Sequence, residues 1–251
     1  MKKIIFLSIV TMLITQLTLT AQKSGVITYE MTIDVHAALT PAQKTLKAMI
    51  PKEKKSKVKI TFNENYAKIE TMKEESEEKI MISMGGDDMP IYLDLKNKTQ
   101  ISILELEGEH YGTIIPMDEF LEKPIESKTL QILDYACIAY KQEDEVKVMT
   151  KTKSTTLNES SNNKEDKGNK ATVWVAPNLP KGLSPLGKTF WNGTLLSFKS
   201  DLFKYEAIDI SFEEIKDNAV LPEVEFKEIT EEQMNDLQEE KTEELINSIK
   251  Q

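Results

Sequence analysis

From Gly25 to His36 the chain alternates with a period of two. Val26, Thr28, Glu30, Thr32 and Asp34 stand against Ile27, Tyr29, Met31, Ile33 and Val35, and the second set is uniformly apolar. That pattern fits a half-buried strand. Similar short runs follow at close intervals. Lys57 to Phe62 and Tyr66 to Met72 flank Asn63-Glu64-Asn65, a hairpin signature. Lys79 to Met84 precedes Gly85-Gly86-Asp87-Asp88, and Pro90 to Leu95 and Thr99 to Glu105 flank Lys96-Asn97-Lys98. Leu130 to Tyr140 and Val146 to Thr152 form a further pair around Gln142 to Glu145, and Ala171 to Pro177, Gly193 to Lys199 and Phe203 to Phe212 complete the series. This cadence of strand and turn predicts a large antiparallel sheet.

Two helices interrupt it. Thr40-Pro41-Ala42-Gln43 has a cap, a proline suited to the first helical position and a glutamine to close the box, so a helix is expected from Thr40 to about Met49, before Pro51. Thr230-Glu231-Glu232-Gln233 is a second capping box with acids in the first turn. It opens an amphipathic helix over 229–251, with Met234, Leu237, Leu245 and Ile249 near one face. Thr155 to Lys170 is polar and of low complexity, which predicts a mobile loop between strands.

The first twenty-one residues carry Lys2 and Lys3, an apolar run from Ile4 to Leu13, then polar residues up to Ala21. This is the layout of a secretory signal peptide, with cleavage expected after Ala21. A spanning helix needs about 20 predominantly apolar residues, roughly twice this run. No cysteine follows the run to carry a lipid. The expected organisation is therefore a signal peptide at 1–21, an antiparallel β domain at 22–228 and the helix at 229–251, in an exported protein of the periplasm or medium that is not a lipoprotein.

Charge narrows the partners. The net charge is -10, and removal of Lys2 and Lys3 makes the remainder more acidic. An acidic chain gains nothing from counterion release on nucleic acid and is repelled by anionic membrane surfaces. The sole cysteine, Cys137, cannot form an internal disulfide, so the core alone must hold the exported domain. Alternation sets Tyr135, Cys137 and Ala139 on one face and Ala136, Ile138 and Tyr140 on the other, which makes Cys137 a small core residue.

Motifs for chemistry are missing. His36 and His110 are isolated and show no zinc-ligand spacing. Met72, Met81, Met84 and Met89 are dense enough to suggest copper(I), yet Met81 and Met84 point to opposite faces of a strand, and methionine is an ordinary core filler. Gly85 to Asp88 lacks the oxygen ladder of a calcium loop. There is no nucleophile elbow and no phosphate loop. No pair of carboxylates stands out for hydrolysis. A non-enzymatic protein without a cofactor is expected.

Three segments resemble a known group: Gly25-Val-Ile-Thr-Tyr29-Glu30; Glu126 to Tyr140 with Asp134-Tyr135-Ala136-Cys137; and Ala171-Thr-Val-Trp174-Val-Ala-Pro177-Asn-Leu-Pro180, followed by Gly182, Ser184-Pro185-Leu-Gly187 and Gly193 to Phe198. They resemble the GLPGLI family and neighbouring exported domains of Bacteroidota, over about Gly25 to Ile210. Asp134 stands where that group has a glycine, and Asn192 to Leu195 replaces its Gly-Leu-Pro-Gly signature. The resemblance implies an α+β, mainly antiparallel β fold like the lipoprotein carriers (LolA/LolB-like), with a curved sheet half-wrapped around helices, and it brings no catalytic residues.

The motif residues also read physically. Trp174 brings a large apolar face, shared by alternation with Thr172 and Ala176. Pro177 and Pro180 end its strand, and Gly182, Gly187 and Gly193 let the backbone bend before the next. Trp174, Trp191 and Phe198 are the candidate lining of a concave, apolar ligand face. The expected function is that of an exported β-sheet protein that binds a lipid, another hydrophobic ligand or an envelope protein. The alternative is a structural or interaction protein that uses its acidic surface and C-terminal helix.

Overall fold

The computed structural model describes residues 23–38, 45, 47–72, 90–119, 124–142, 171–186 and 188–237. The expected signal peptide at 1–21, Lys79 to Met84, Gly85 to Asp88, Val146 to Thr152, Thr155 to Lys170 and most of the two expected helices lie outside those residues.

The strands are β1 (Gly25–Asp34), β2 (Glu53–Phe62), β3 (Tyr66–Met72), β4 (Ile91–Asp94), β5 (Thr99–Leu106), β6 (Glu109–Pro116), β7 (Asp118–Glu119), β8 (Pro124–Ile132), β9 (Tyr135–Gln142), β10 (Ala171–Ala176), β11 (Lys188–Thr189), β12 (Thr194–Lys199), β13 (Phe203–Phe212) and β14 (Lys227–Glu228). Twelve of them form one open sheet in the order β14-β6-β5-β4-β3-β2-β1-β13-β12-β10-β9-β8. All neighbours are antiparallel except β14, which lies parallel to β6. A small parallel pair, β7 with β11, stands apart. The sheet thus consists of two meanders, β1 to β6 and β8-β9-β10-β12-β13, joined where β1 pairs with β13, with β14 added at the β6 edge. Mainly antiparallel β architecture, as expected from the alternation, is what the chain adopts.

The first wing follows the alternation. Ile27, Tyr29 and Ile33 of β1 are buried, and Ile27 lies between Ile60 of β2 and Ile210 of β13. Ile60 in turn opposes Ile69, and Ala67 opposes Leu93. Fully burying each such aliphatic side chain contributes roughly 1.5–3 kcal/mol. The Asn63 turn is specified by one side chain: its carboxamide oxygen accepts the N–H groups of Asn65 (3.0 Å) and Tyr66 (2.8 Å), an Asx turn.

In the second wing β10 and β12 bury side chains on both faces. Val175 and Leu195 belong to one apolar cluster with Ile33, Val173, Phe190, Phe198 and Phe203. Their immediate neighbours Ala176 and Leu196 belong to the other cluster, with Ile27, Tyr29, Ile60 and Leu93. β10 and β12 therefore separate two bodies of core. A bulge between Trp174 and Val175 accommodates the extra residue on β12.

Several expectations need correction. β1 stops at Asp34 rather than running to His36, because the Asp34 carboxylate accepts the N–H of Ala37 (2.9 Å) and caps a single helical turn, Val35–Ala38. Leu130 to Tyr140 is not one strand. It is a hairpin whose two turn residues, Leu133 and Asp134, have φ of 47° and 66°, the type I′ pattern.

A strap follows β13. The Ser24 hydroxyl donates to the Glu213 carbonyl (2.6 Å), and the Asn63 amide donates to Asp217 (2.7 Å). Val220 is completely buried. Phe226 lies on Gly112, where an added Cβ would stand 2.2 Å from its ring, so only glycine fits beneath it. The Ile229 N–H then donates to the Gly112 carbonyl (2.9 Å). The capping box forms as expected: Thr230 N–H donates to the Gln233 side chain (3.0 Å), and Gln233 N–H donates to the Thr230 hydroxyl (3.2 Å). Residues 231–237 are helical and bury Met234.

Candidate functional site

Of the three residues expected to line an apolar face, Trp174 and Trp191 pack against the same core cluster, whereas Phe198 belongs to the other. Val173 opposes Phe198, whereas Trp174 opposes Ser197 and Ala139. Trp174 and Phe198 therefore lie on opposite faces of the sheet. Phe198 is wholly buried, with its ring 6.4 Å from that of Tyr205. Trp174 is partly exposed, with the Lys128 ammonium 5.6 Å from its ring. Trp191 sits in the connection between β10 and β12, with the Lys98 ammonium 4.4 Å from its ring.

That connection, Pro177 to Gly193, occupies the interior instead. Leu179, Leu183, Ser184, Thr189 and Phe190 are all buried. Leu179 and Leu183 join the first cluster, while Phe190 joins the second with its ring centre 5.5 Å from that of Tyr140 and tilted to it by 49°. The backbone closes on itself: Gly182 N–H donates to the carbonyls of Phe190 (3.0 Å) and Gly193 (3.2 Å), and Leu195 N–H donates to Leu183 (3.0 Å). The Thr194 hydroxyl donates to the Pro180 carbonyl. Gly182 has φ +82° with Trp191 where a Cβ would be, so both its conformation and its neighbour demand glycine.

Cys137 is buried, with its thiol against the Tyr135 carbonyl at 3.5 Å. Burial pushes the thiol up to about 11, only partly offset by a backbone hydrogen bond at Ile132. It is protonated at neutral pH and a poor nucleophile. The His36 Nε2 lies 3.1 Å from the Ile50 carbonyl, and His110 opposes Glu105 across β5 and β6. Among the described residues no three His, Cys, Asp or Glu side chains come together to hold a metal ion.

The face opposite Ile27, Ile60 and Ile69 carries charge. Lys55 pairs with Glu30 (2.8 Å), Lys204 with Glu206, and Glu70 with both Lys68 (2.7 Å) and Lys59 (3.2 Å). Partial burial alone would push the Glu70 carboxyl up. The hydrogen bond from Lys68 and the charges of Lys59 and Lys68 outweigh that and hold it below its ordinary value.

A groove of about 420 Å³ lies at the β14 end of the sheet, between the last residues of β6 and the start of the terminal helix. Ile114, Ile115 and Ile229 line it together with Glu228, Thr230, Glu231 and Gln233. Sequence reasoning did not reach it. The sole local sign was two adjacent isoleucines before Pro116, and the groove exists only because the strap returns to that edge.

No family model matches the chain, and no curated protein matches it. Among solved structures it is similar to PNGF-II in a C2 crystal form, at 15% identity and a TM-score of 0.54. The match covers 86% of this chain and 32% of that one, so the chain spans about one third of the neighbour's length. The likeness concerns the fold.

Proposed function

We propose that the chain is an exported, non-enzymatic β-sheet module that engages a protein of the cell envelope through its surface. One observation carries this reading: the Pro177–Gly193 connection packs the protein's own side chains against the sheet, with Leu179, Leu183 and Phe190 in the two core clusters. A half-barrel carrier needs that space for lipid. The resemblance to exported Bacteroidota domains adds support, since Asp134, at the position of that group's glycine, takes φ +66°, a conformation glycine adopts freely.

The test is purification from the native periplasm or medium, followed by gentle mass spectrometry and by cross-linking in intact cells. The reading expects a lipid-free mass and a defined cross-linked envelope protein. Stoichiometric co-purifying lipid would return the function to a hydrophobic-ligand carrier. Removal of residues 1–21 is expected to leave the protein in the cytoplasm, as shown by fractionation.

A further inference from the structure

Strand geometry makes the β6 edge chemically specific. Along a strand the N–H and C=O of one residue point to the same side, and the side alternates. Gly112 accepts from Ile229 of the strap, so Gly112, Ile114 and Pro116 face away from β5. β14 covers Tyr111 and Gly112 only. Beyond it, among the described residues, no strand pairs with the Ile114 N–H, the Ile114 carbonyl or the Pro116 carbonyl, and Pro116 ends the donor row. The groove runs along this uncovered stretch. The Ile114 side chain is 44% exposed there, an isoleucine left in solvent. Exposed edges of this kind pair with extended chains unless they are blunted.

Resting on the interaction-module reading, we infer that this edge receives an extended segment of a partner protein by strand addition, continuing the sheet where β14 leaves off. Two partner N–H groups meet the Ile114 and Pro116 carbonyls, and one partner carbonyl meets the Ile114 N–H. Main-chain bonds of this kind give affinity, while side-chain pockets give selectivity. Ile114, Ile115 and Ile229 take β-branched or aliphatic side chains. Glu228 and Glu231, which also line the groove, select a segment flanked by lysine or arginine, whose charge they meet.

The probe is a labelled heptapeptide of alternating valine and threonine with lysine at both ends. Controls are the same peptide with glutamate ends and a version with its backbone N-methylated on the bonding side. The full chain is expected to bind the lysine-ended peptide, with shifts at the Gly112 and Ile114 amides and exchange of the Ile114 N–H slowed about tenfold, roughly one hydrogen bond's worth. The N-methylated peptide is expected not to bind. Ile114→Pro removes the outward donor together with the isoleucine side chain of the groove, spares the inward-facing β5 bonds and should weaken binding at least about tenfold. Glu228→Lys should shift preference to the glutamate-ended peptide. Equal binding of methylated and unmethylated peptides, an unchanged Ile114 amide, or no binding by any of the peptides would overturn the inference, and the first two need no variant to fold. Cross-linking of Ile114→Pro in cells separates the two claims. An unaltered envelope partner removes strand addition and keeps the module reading, whereas a wild-type chain that captures no partner removes both.

Discussion

The two wings of the sheet solve burial differently. Along β1 the exposure alternates residue by residue, with Ile27 and Tyr29 completely buried and Val26, Thr28 and Glu30 partly in solvent. Along β12, Thr194, Leu195, Leu196 and Phe198 are all completely buried, and only Ser197 and Lys199 are not. The first wing has one core face and one charged face. In the second, β10 and β12 lie between two clusters, to which the Pro177–Gly193 connection contributes Leu179, Leu183 and Phe190. A period-two pattern marks a strand with one wet face, whereas a strand buried on both sides is a continuous apolar run.

This contrast predicts which faces tolerate change. The largest effect is expected in the second wing, where Phe198→Ala should cost about 3–5 kcal/mol and its opposite-face neighbour Leu196→Ala about 2–5 kcal/mol in denaturant unfolding. Were either to cost under about 1 kcal/mol, the double-sided burial of β12 would be wrong. Next comes the bond that links the wings. The Tyr29 hydroxyl donates to the Leu195 carbonyl (2.7 Å) in full burial, so Tyr29→Phe leaves that carbonyl without its donor, at about 1–3 kcal/mol by the same assay.

Gly112→Ala should act on the strap rather than the core. The Phe226 ring must leave its seat, and hydrogen exchange at Ile229 should accelerate while the amides of β1 and β2 stay protected.

A smaller effect belongs to the charged face of the first wing. Glu70 has a depressed value in the fold, so its contribution is present above the ordinary carboxylate value of about 4.3 and is lost as pH falls through its folded value. Glu70→Gln should therefore flatten the acid limb of stability against pH and leave the neutral region little changed. Cys137 has the opposite linkage. Its stabilising effect is complete below the unfolded value near 8.5 and declines as pH rises toward about 11. A thiol reagent at neutral pH should label it only after unfolding.

What could be read from the residues follows the same division. Tyr66–Met72 and Phe203–Phe212 have the bounds expected of them, and the Asn63 turn and the Thr230 capping box form as expected, because each is governed by contacts within a few residues. The Leu133–Asp134 turn escaped notice because neither residue is a glycine, although both take positive φ. Trp174 and Phe198 looked alike as large apolar residues on neighbouring strands. Only the register, with Val173 rather than Trp174 opposite Phe198, sends them to different faces.

By itself the sequence determined that the chain is a mainly antiparallel β protein, since side-chain alternation and turn chemistry act locally. It also determined that no disulfide braces it, since Cys137 has no mate. Tertiary structure alone decided that β1 joins β13, that the Pro177–Gly193 connection sends side chains into the core, and that the strap stops short along β6 and leaves Ile114 at an edge no other described strand covers. Those outcomes depend on pairings between residues more than a hundred positions apart. Such pairings form where the summed burial of two surfaces outweighs the entropy of closing the loop between them, and no local pattern records that sum.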